Sequence, residues 1–206
     1  MAALPHRDSP EIHLVVSTPE EIIAQQHANS DEWRGALALP AYLRREELLA
    51  DQTLTRDGGL TGWSLVYQPA GSDEKNRQVL CGCETIKKRA LVASGNTVEA
   101  VTAHGVCSVF CPPQHRGKGY AGRMIADLGE KLKTWQSNGQ NNLFSVLWSD
   151  IGKVRSFVIC PFLRLKSRSS PCRNSTLREA GRLSHRPTFL SLLGQKRSPT
   201  FLQYSC

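Results

Sequence analysis

The chain has no apolar run approaching the ~20 residues that a membrane helix needs, so a membrane protein is not expected. Its start, MAALPHRDSPE, has no apolar core and carries acids early. Neither a secretion signal nor a mitochondrial transit peptide fits that pattern, and the expected location is cytoplasmic. The seven cysteines, Cys81, Cys83, Cys107, Cys111, Cys160, Cys172 and Cys206, are odd in number and include no C-x-x-C pair. That excludes the usual disulfide and zinc frameworks, so reduced thiols and no metal site are expected. Cys107 and Cys111 share one face of an apolar run with Val109, a pattern that suits small buried fillers. Acidic residues are nearly absent from the last quarter. From Val154 onward Glu179 is the single acid against ten Lys or Arg residues, a net +9, whereas residues 1–153 hold 16 basic and 17 acidic residues. The overall charge of +8 therefore belongs to the tail.

What remains is an ordinary globular composition, 40% hydrophobic and 21% charged, for which one domain is the default. IHLVV reads as a strand, followed by a helix that Thr18 caps, Pro19 opens and Glu21 closes with a capping box. SDEWRGALALPAYLRREELLA carries Leu39, Tyr42, Leu43, Leu48 and Leu49 at mostly helical spacing. GGLTGWSLVYQP and QVLCGCETIKKRALV then read as an antiparallel hairpin across the polar loop AGSDEKNR. TVEAVTAHGVCSVFC is a further strand in which Gly105 marks a bulge or a close backbone approach. It stops at Pro112 and Pro113. The clearest helix runs from Tyr120 to Trp135, with Ala121, Met124, Ile125, Leu128, Leu132 and Trp135 on one side. LFSVLW supplies a last buried strand, giving a mixed α/β order with one crossover. Past Gly152 no periodicity is sustained.

The stretch FCPPQHRGKGYAGRMI sets a glycine-rich turn at the start of that helix. Unpaired backbone N–H groups and the positive end of a helix dipole make such a turn a natural phosphate site. Gly117 and Gly119 admit close approach, and Arg116 and Lys118 add charge. GKGYAG formally matches G-x-G-x-x-G, but PPQHR separates it from its strand, and Asp150 lies too far on for a dinucleotide fold. No Gly-Lys is followed by Ser or Thr, which excludes a Walker A loop.

The strand, the prolines and QHRGKGYAGRM resemble motif A of the GCN5-related N-acetyltransferase (GNAT) superfamily, Q/R-x-x-G-x-G/A, with Gln114, Gly117 and Gly119 in its fixed positions. More narrowly, DEWRGAL around Trp33, CETIKKRALV, VTAHGVCSVFCPPQHRGKGYAGRM and FSVLWSDIGK are similar to fungal acetyltransferases that modify the side-chain amine of lysine. The resemblance covers residues 12–153. It implies a mixed α/β GNAT-type acyl-CoA N-acyltransferase fold, acetyl-CoA as cosubstrate and an amine, lysine, as acceptor. It also implies that Val109, Phe110 and Cys111 meet the pantetheine arm and that Gln114, Arg116, Gly117, Lys118, Gly119, Tyr120 and Ala121 hold the diphosphate. Glu99 and His104 are candidate bases or water-positioning residues. Alternatively, Glu99 is an exposed strand charge and His104 a hydrogen-bonded core residue.

Members of the superfamily commonly protonate the departing thiolate with a tyrosine on the helix after the LWSD strand, and here no tyrosine follows before Tyr204. The likeness ends at Lys153. Lys153-Val154-Arg155 is what an exon-end codon running into a GTAAG-type donor would encode, so residues 154–206 read as a non-native, disordered tail and the fold as incomplete at its C-terminal end. Residues 1–11 read as an extension. Competing readings are an inactive CoA-binding remnant and a binder of nucleic acid or an acidic partner through the basic tail; against the last, the tail contains no known nucleic-acid module.

Overall fold

A computed structural model describes residues 4–94, 96–137 and 142–147, and the backbone of residues 157 and 158. The end of the LWSD strand and almost all of the basic tail, with the expectations attached to them, lie outside the described residues. The element order is β1 (Ile12–Val16), α1 (Pro19–Trp33), α2 (Leu39–Ala50), β2 (Leu60–Tyr67), β3 (Gln78–Ser94), β4 (Thr97–Phe110), α3 (Tyr120–Leu132), β5 (Asn142–Leu147) and β6 (Phe157–Val158). The six strands form one sheet in sequence order. β1, β2 and β3 pair antiparallel, β4 and β5 pair parallel across the α3 crossover, and β5 and β6 pair antiparallel. The mixed α/β class expected from the sequence is the one observed. By compactness the chain divides into Met1–Ala90 with Val101–Pro161, and Leu91–Ala100 with Phe162–Cys206. Among the described residues, the second unit consists of the end of β3 and the start of β4.

The start of α1 forms for the reason the sequence suggests. The Thr18 hydroxyl accepts from the Glu21 N–H at 3.2 Å, and the Glu21 carboxylate accepts from the Thr18 N–H at 2.9 Å. Such a cap contributes about 1 kcal/mol. The same carboxylate takes a two-pronged bond from Arg77, at 2.7 and 2.8 Å, which ties α1 to the start of β3. SDEWRGALALPAYLRREELLA holds the end of one helix and, from Leu39 to Leu49, the helical spacing of the next. Its first four residues finish α1, Gly35 turns left-handed (φ 56°), and α2 begins afresh at Leu39 with Pro40 in its first turn.

Strand alternation then sorts the two faces of the sheet. Trp63, Leu65, Cys81, Cys83 and Val106 pack with Tyr120, Met124, Leu128 and Leu132 of α3 in one core. Burying Met124 and Leu128 completely stabilises the fold by about 1.5–3 kcal/mol each. Trp63, fully buried, donates from its indole N–H to the Thr85 hydroxyl at 2.9 Å and meets Trp135 edge-on at 5.0 Å. α3 itself stops at Leu132, short of the Trp135 expected from periodicity. The Asn142 side-chain amide donates to the Leu132 carbonyl at 2.8 Å, so the first residue of β5 closes the helix that precedes it.

The opposite face carries α1, where Ile22 lies over Gly62 and Gln25 over Gly82. A Cβ on Gly82 would sit 1.8 Å from the Gln25 side-chain oxygen, and that amide reaches the Ser64 hydroxyl at 2.8 Å.

Candidate functional site

β4 carries a break in its alternation next to the glycine loop. Val106 and Val109 both pack against the α3 core, although three residues apart in a regular strand they would face opposite ways. Between them Ser108 adopts φ 52°, and Phe110 turns to meet Trp33 of α1 edge-on at 5.6 Å. One extra residue has been taken up at Ser108, the signature of a bulge. The sequence reading offered Gly105 as a bulge or a close backbone approach; the left-handed residue is Ser108 instead. A Cβ at Gly105 would meet the end of the Lys88 side chain at 3.3 Å and the Ile86 carbonyl oxygen at 4.0 Å. A second irregularity in β4 falls between Thr102 and Ala103, in the pairing with β5.

The bulge also revises the reading of the thiols. The four described cysteines are free, as expected. Cys81 and Cys83 are the fully buried fillers, whereas Cys107 and Cys111 are half-buried. Cys111 packs with Val109 on the core, and its sulfur donates to the Leu80 carbonyl at 3.8 Å. Burial pushes the Cys107 thiol up to about 11, so it is protonated at neutral pH.

After Cys111 the prolines enter a short 3-10 turn, Pro113–His115. His115 is buried, and its Nδ1 donates to the Leu80 carbonyl at 2.9 Å, anchoring the turn to β3. Gly117 and Gly119 follow with φ 76° and 81°, the left-handed region where a Cβ is unwelcome. Gly119 is the residue at the α3 N-cap and offers no side-chain cap. Unlike Thr18 at α1, it leaves the first N–H groups of its helix without a side-chain cap among the described residues.

The sequence-expected residues from Val109 to Ala121 thus form one continuous run from the bulge to the first turn of α3. Phe110 and Tyr120 are buried, Val109, Cys111 and Ala121 half-buried, and Gln114, Arg116, Gly117 and Lys118 exposed. Two of the cations are already engaged. The Arg116 guanidinium donates to the Cys111 carbonyl at 2.8 Å and pairs with the Glu32 carboxylate, while it lies over the Phe110 ring. Lys118 donates to the Gln114 carbonyl at 3.3 Å. The residues before β1 pack beside the same loop. Tyr120 donates its hydroxyl to the Pro5 carbonyl at 2.6 Å, Arg123 donates to the Arg7 carbonyl at 3.1 Å, and Leu4 packs on the core. Leu4, Pro5, His6, Arg7, Gly117 and Lys118 line an open cleft of about 500 Å³.

The two candidate bases are placed differently. Glu99 is exposed near the start of β4. His104 is 1% exposed, with Nε2 3.4 Å from the Gln136 side-chain oxygen and Nδ1 unpartnered among the described residues. Burial holds its imidazole below the usual range and therefore neutral, with Lys87 acting in the same direction and the Gln136 bond opposing. Sequence reasoning missed His115 and the edge-on contact of Trp33 with Phe110. His115 had no local signal. Among the described residues no group of three or more His, Cys, Asp or Glu could hold a metal ion, and no helix is long and apolar enough to cross a membrane.

Comparison with known proteins agrees with the resemblance carried by the loop. The chain is 26% identical over 152 residues to a lysine acetyltransferase of Yarrowia lipolytica, covering 66% of this chain and 37% of that protein. It is 27% identical over 153 residues to the uncharacterized protein YGR111W of Saccharomyces cerevisiae, covering 63% and 38%. The chain thus spans well under half the length of these curated relatives. Among solved structures it is similar to a GNAT family acetyltransferase of Staphylococcus aureus, with 15% identity, a TM-score of 0.45, and coverage of 70% of this chain and 93% of that one. No family model matches. The chain resembles the GNAT acetyltransferases over about two thirds of its length.

Proposed function

We propose that this chain binds acetyl-CoA at the Arg116–Ala121 loop and transfers its acetyl group to a primary amine, the side-chain amine of lysine. The observation that carries the reading is the uncapped start of α3: two left-handed glycines lead directly into helix N–H groups that no side chain among the described residues caps. The diphosphate is the natural partner for those donors. Val109, Phe110 and Cys111, past the bulge, take the pantetheine arm. The lysine acceptor is supported by the relative from Yarrowia lipolytica.

Acetyl transfer forms one C–N bond and breaks one C–S bond. The amine must arrive neutral, the carbonyl oxygen must be stabilised as charge develops on it, and the thiolate must leave with a proton. Glu99 and His104 are the proton-handling residues proposed from the sequence. Of the two, His104 is held neutral, the form in which an imidazole can accept a proton.

The experiment is acetyl-lysine formation by the purified full chain, with coenzyme binding followed separately by calorimetry. Gly117→Glu sets a carboxylate where the diphosphate would lie; no atom stands within 4 Å of the new Cβ, and the strain of a side chain at φ 76° falls on the loop backbone alone. Both binding and product should be lost in a protein whose circular dichroism is unchanged. Wild-type binding by that variant refutes the site. Binding by the parent chain with no product would leave a coenzyme-binding domain and remove the transferase.

A further inference from the structure

Arg7, in the segment before β1, lies across the start of α3. A Cβ built on Gly119 would stand 2.7 Å from its Cδ and 3.2 Å from one nitrogen of its guanidinium. The segment is tied there at two points, Pro5 by the Tyr120 hydroxyl and the Arg7 carbonyl by the Arg123 guanidinium. Backbone hydrogen bonds, one of them at Arg7 itself, thus hold this side chain at the helix end. Its carboxylate neighbour Asp8, at 3.6 Å, is shared with His6 at 3.4 Å. Arg7 and Asp8 both have side chains more than half exposed, and such a pair contributes little.

That placement is electrostatically unfavourable for an empty helix end. The first N–H groups of α3 carry the positive end of its dipole, its first turn holds no acidic residue, and Lys118 stands in the same loop. α1 meets the same condition with Glu20 and Glu21 in its first turn. Where α1 has two carboxylates, α3 has an arginine. An anion between Arg7 and the N–H groups reverses the balance, because each side then attracts it. Room for one is present: the cleft of about 500 Å³ between the segment and the loop is lined by Leu4, Pro5, His6, Arg7, Gly117 and Lys118, none of them acidic.

We propose that Arg7 is a coenzyme-binding residue contributed from outside the glycine loop, and that the segment before β1 is the second wall of the phosphate site. This rests on the acetyl-transfer reading above. The guanidinium presents a fork of donors that matches phosphate oxygens. Lys118, whose ammonium meets the Gln114 carbonyl at 3.3 Å, lines the same cleft as a second cation. The nucleotide end of the coenzyme offers two groups of this chemistry, the diphosphate and the ribose phosphate.

The test uses the full chain, Arg7→Met and Arg7→Lys, with calorimetric titration of coenzyme A and of dephospho-coenzyme A. Methionine keeps an unbranched stem across Gly119 and removes the charge. Arg7→Met should bind coenzyme A about tenfold or more weakly, and its affinity should depend less steeply on salt. Arg7→Lys should recover part of the loss. Tm of the coenzyme-free chain should hold or rise in Arg7→Met, because a cation leaves the positive end of a helix. An equal loss for the two coenzymes assigns Arg7 to the diphosphate, and a loss confined to coenzyme A assigns it to the ribose phosphate. Unchanged affinity of Arg7→Met for both overturns the proposal. A lower Tm, with affinity lost alike in Arg7→Lys, would mark a structural arginine and overturn it as well. A parent chain that binds neither coenzyme refutes the acetyl-transfer reading. Inorganic pyrophosphate then decides the role of Arg7 separately: its Nε nitrogen-15 resonance should move on titration, and a resonance that stays fixed overturns the proposal.

Discussion

The hydroxyl of Tyr120, the first residue of α3, donates to the carbonyl of Pro5 at 2.6 Å, joining positions 115 residues apart. The bond holds the chain before β1 beside the loop assigned to the diphosphate. Tyr120→Phe should therefore cost about 1 kcal/mol in denaturant unfolding. Native-state hydrogen exchange should rise in residues 4–9 while α3 stays protected. Unchanged exchange at the arm would show that the bond does not hold it.

The Arg77 pair with Glu21 makes a second, pH-dependent prediction. Arg77 is 4% exposed and Glu21 13%, so neither partner is solvated when the other is removed. Burial alone would raise the Glu21 carboxyl, but the Arg77 bonds and the Thr18 N–H outweigh it and hold the carboxyl below the usual range. A depressed carboxyl stabilises the fold above its unfolded pKa of about 4.3 and loses that contribution as pH falls toward the folded value. Arg77→Met should cost about 3 kcal/mol at pH 7, the scale for stranding one partner of a buried pair. Below pH 4 the gap between variant and parent should narrow. Urea unfolding at pH 7 and pH 3.5 measures both.

Two glycines separate backbone constraint from side-chain constraint. A Cβ at Gly59 would meet the Leu54 carbonyl oxygen at 2.2 Å, an atom that moves only if the chain moves. At Gly82 the obstacle is the end of Gln25, which can swing away at the cost of its bond to Ser64. Gly59→Ala should destabilise by roughly 2–3 kcal/mol and Gly82→Ala by about 1 kcal/mol. The reverse order in thermal unfolding would contradict this account.

The features legible in the sequence are those whose cause is local. The Thr18 capping box spans four residues, and the buried stripe of α3 repeats every three or four, so each carries its own signal. The α1–α2 break has local causes in Gly35 and Pro40, and the helical spacing from Leu39 to Leu49 lies wholly within α2. Ser108 could not have been found in this way. Its left-handed backbone answers a tertiary demand, that Val109 rejoin the α3 core while Phe110 meets Trp33, and serine does not advertise it as glycine would. Gly105 drew the bulge assignment because glycine is the residue that usually marks one.

The central claim is that the N–H groups between Gly117 and Ala121 hold the diphosphate of a coenzyme, and amide nitrogen-15 chemical shifts during titration with coenzyme A test it most directly. The account predicts saturable shifts largest at Gly117, Lys118, Gly119, Tyr120 and Ala121, with the amides of β1 little changed. Saturable coenzyme binding that leaves those five amides unmoved would contradict it.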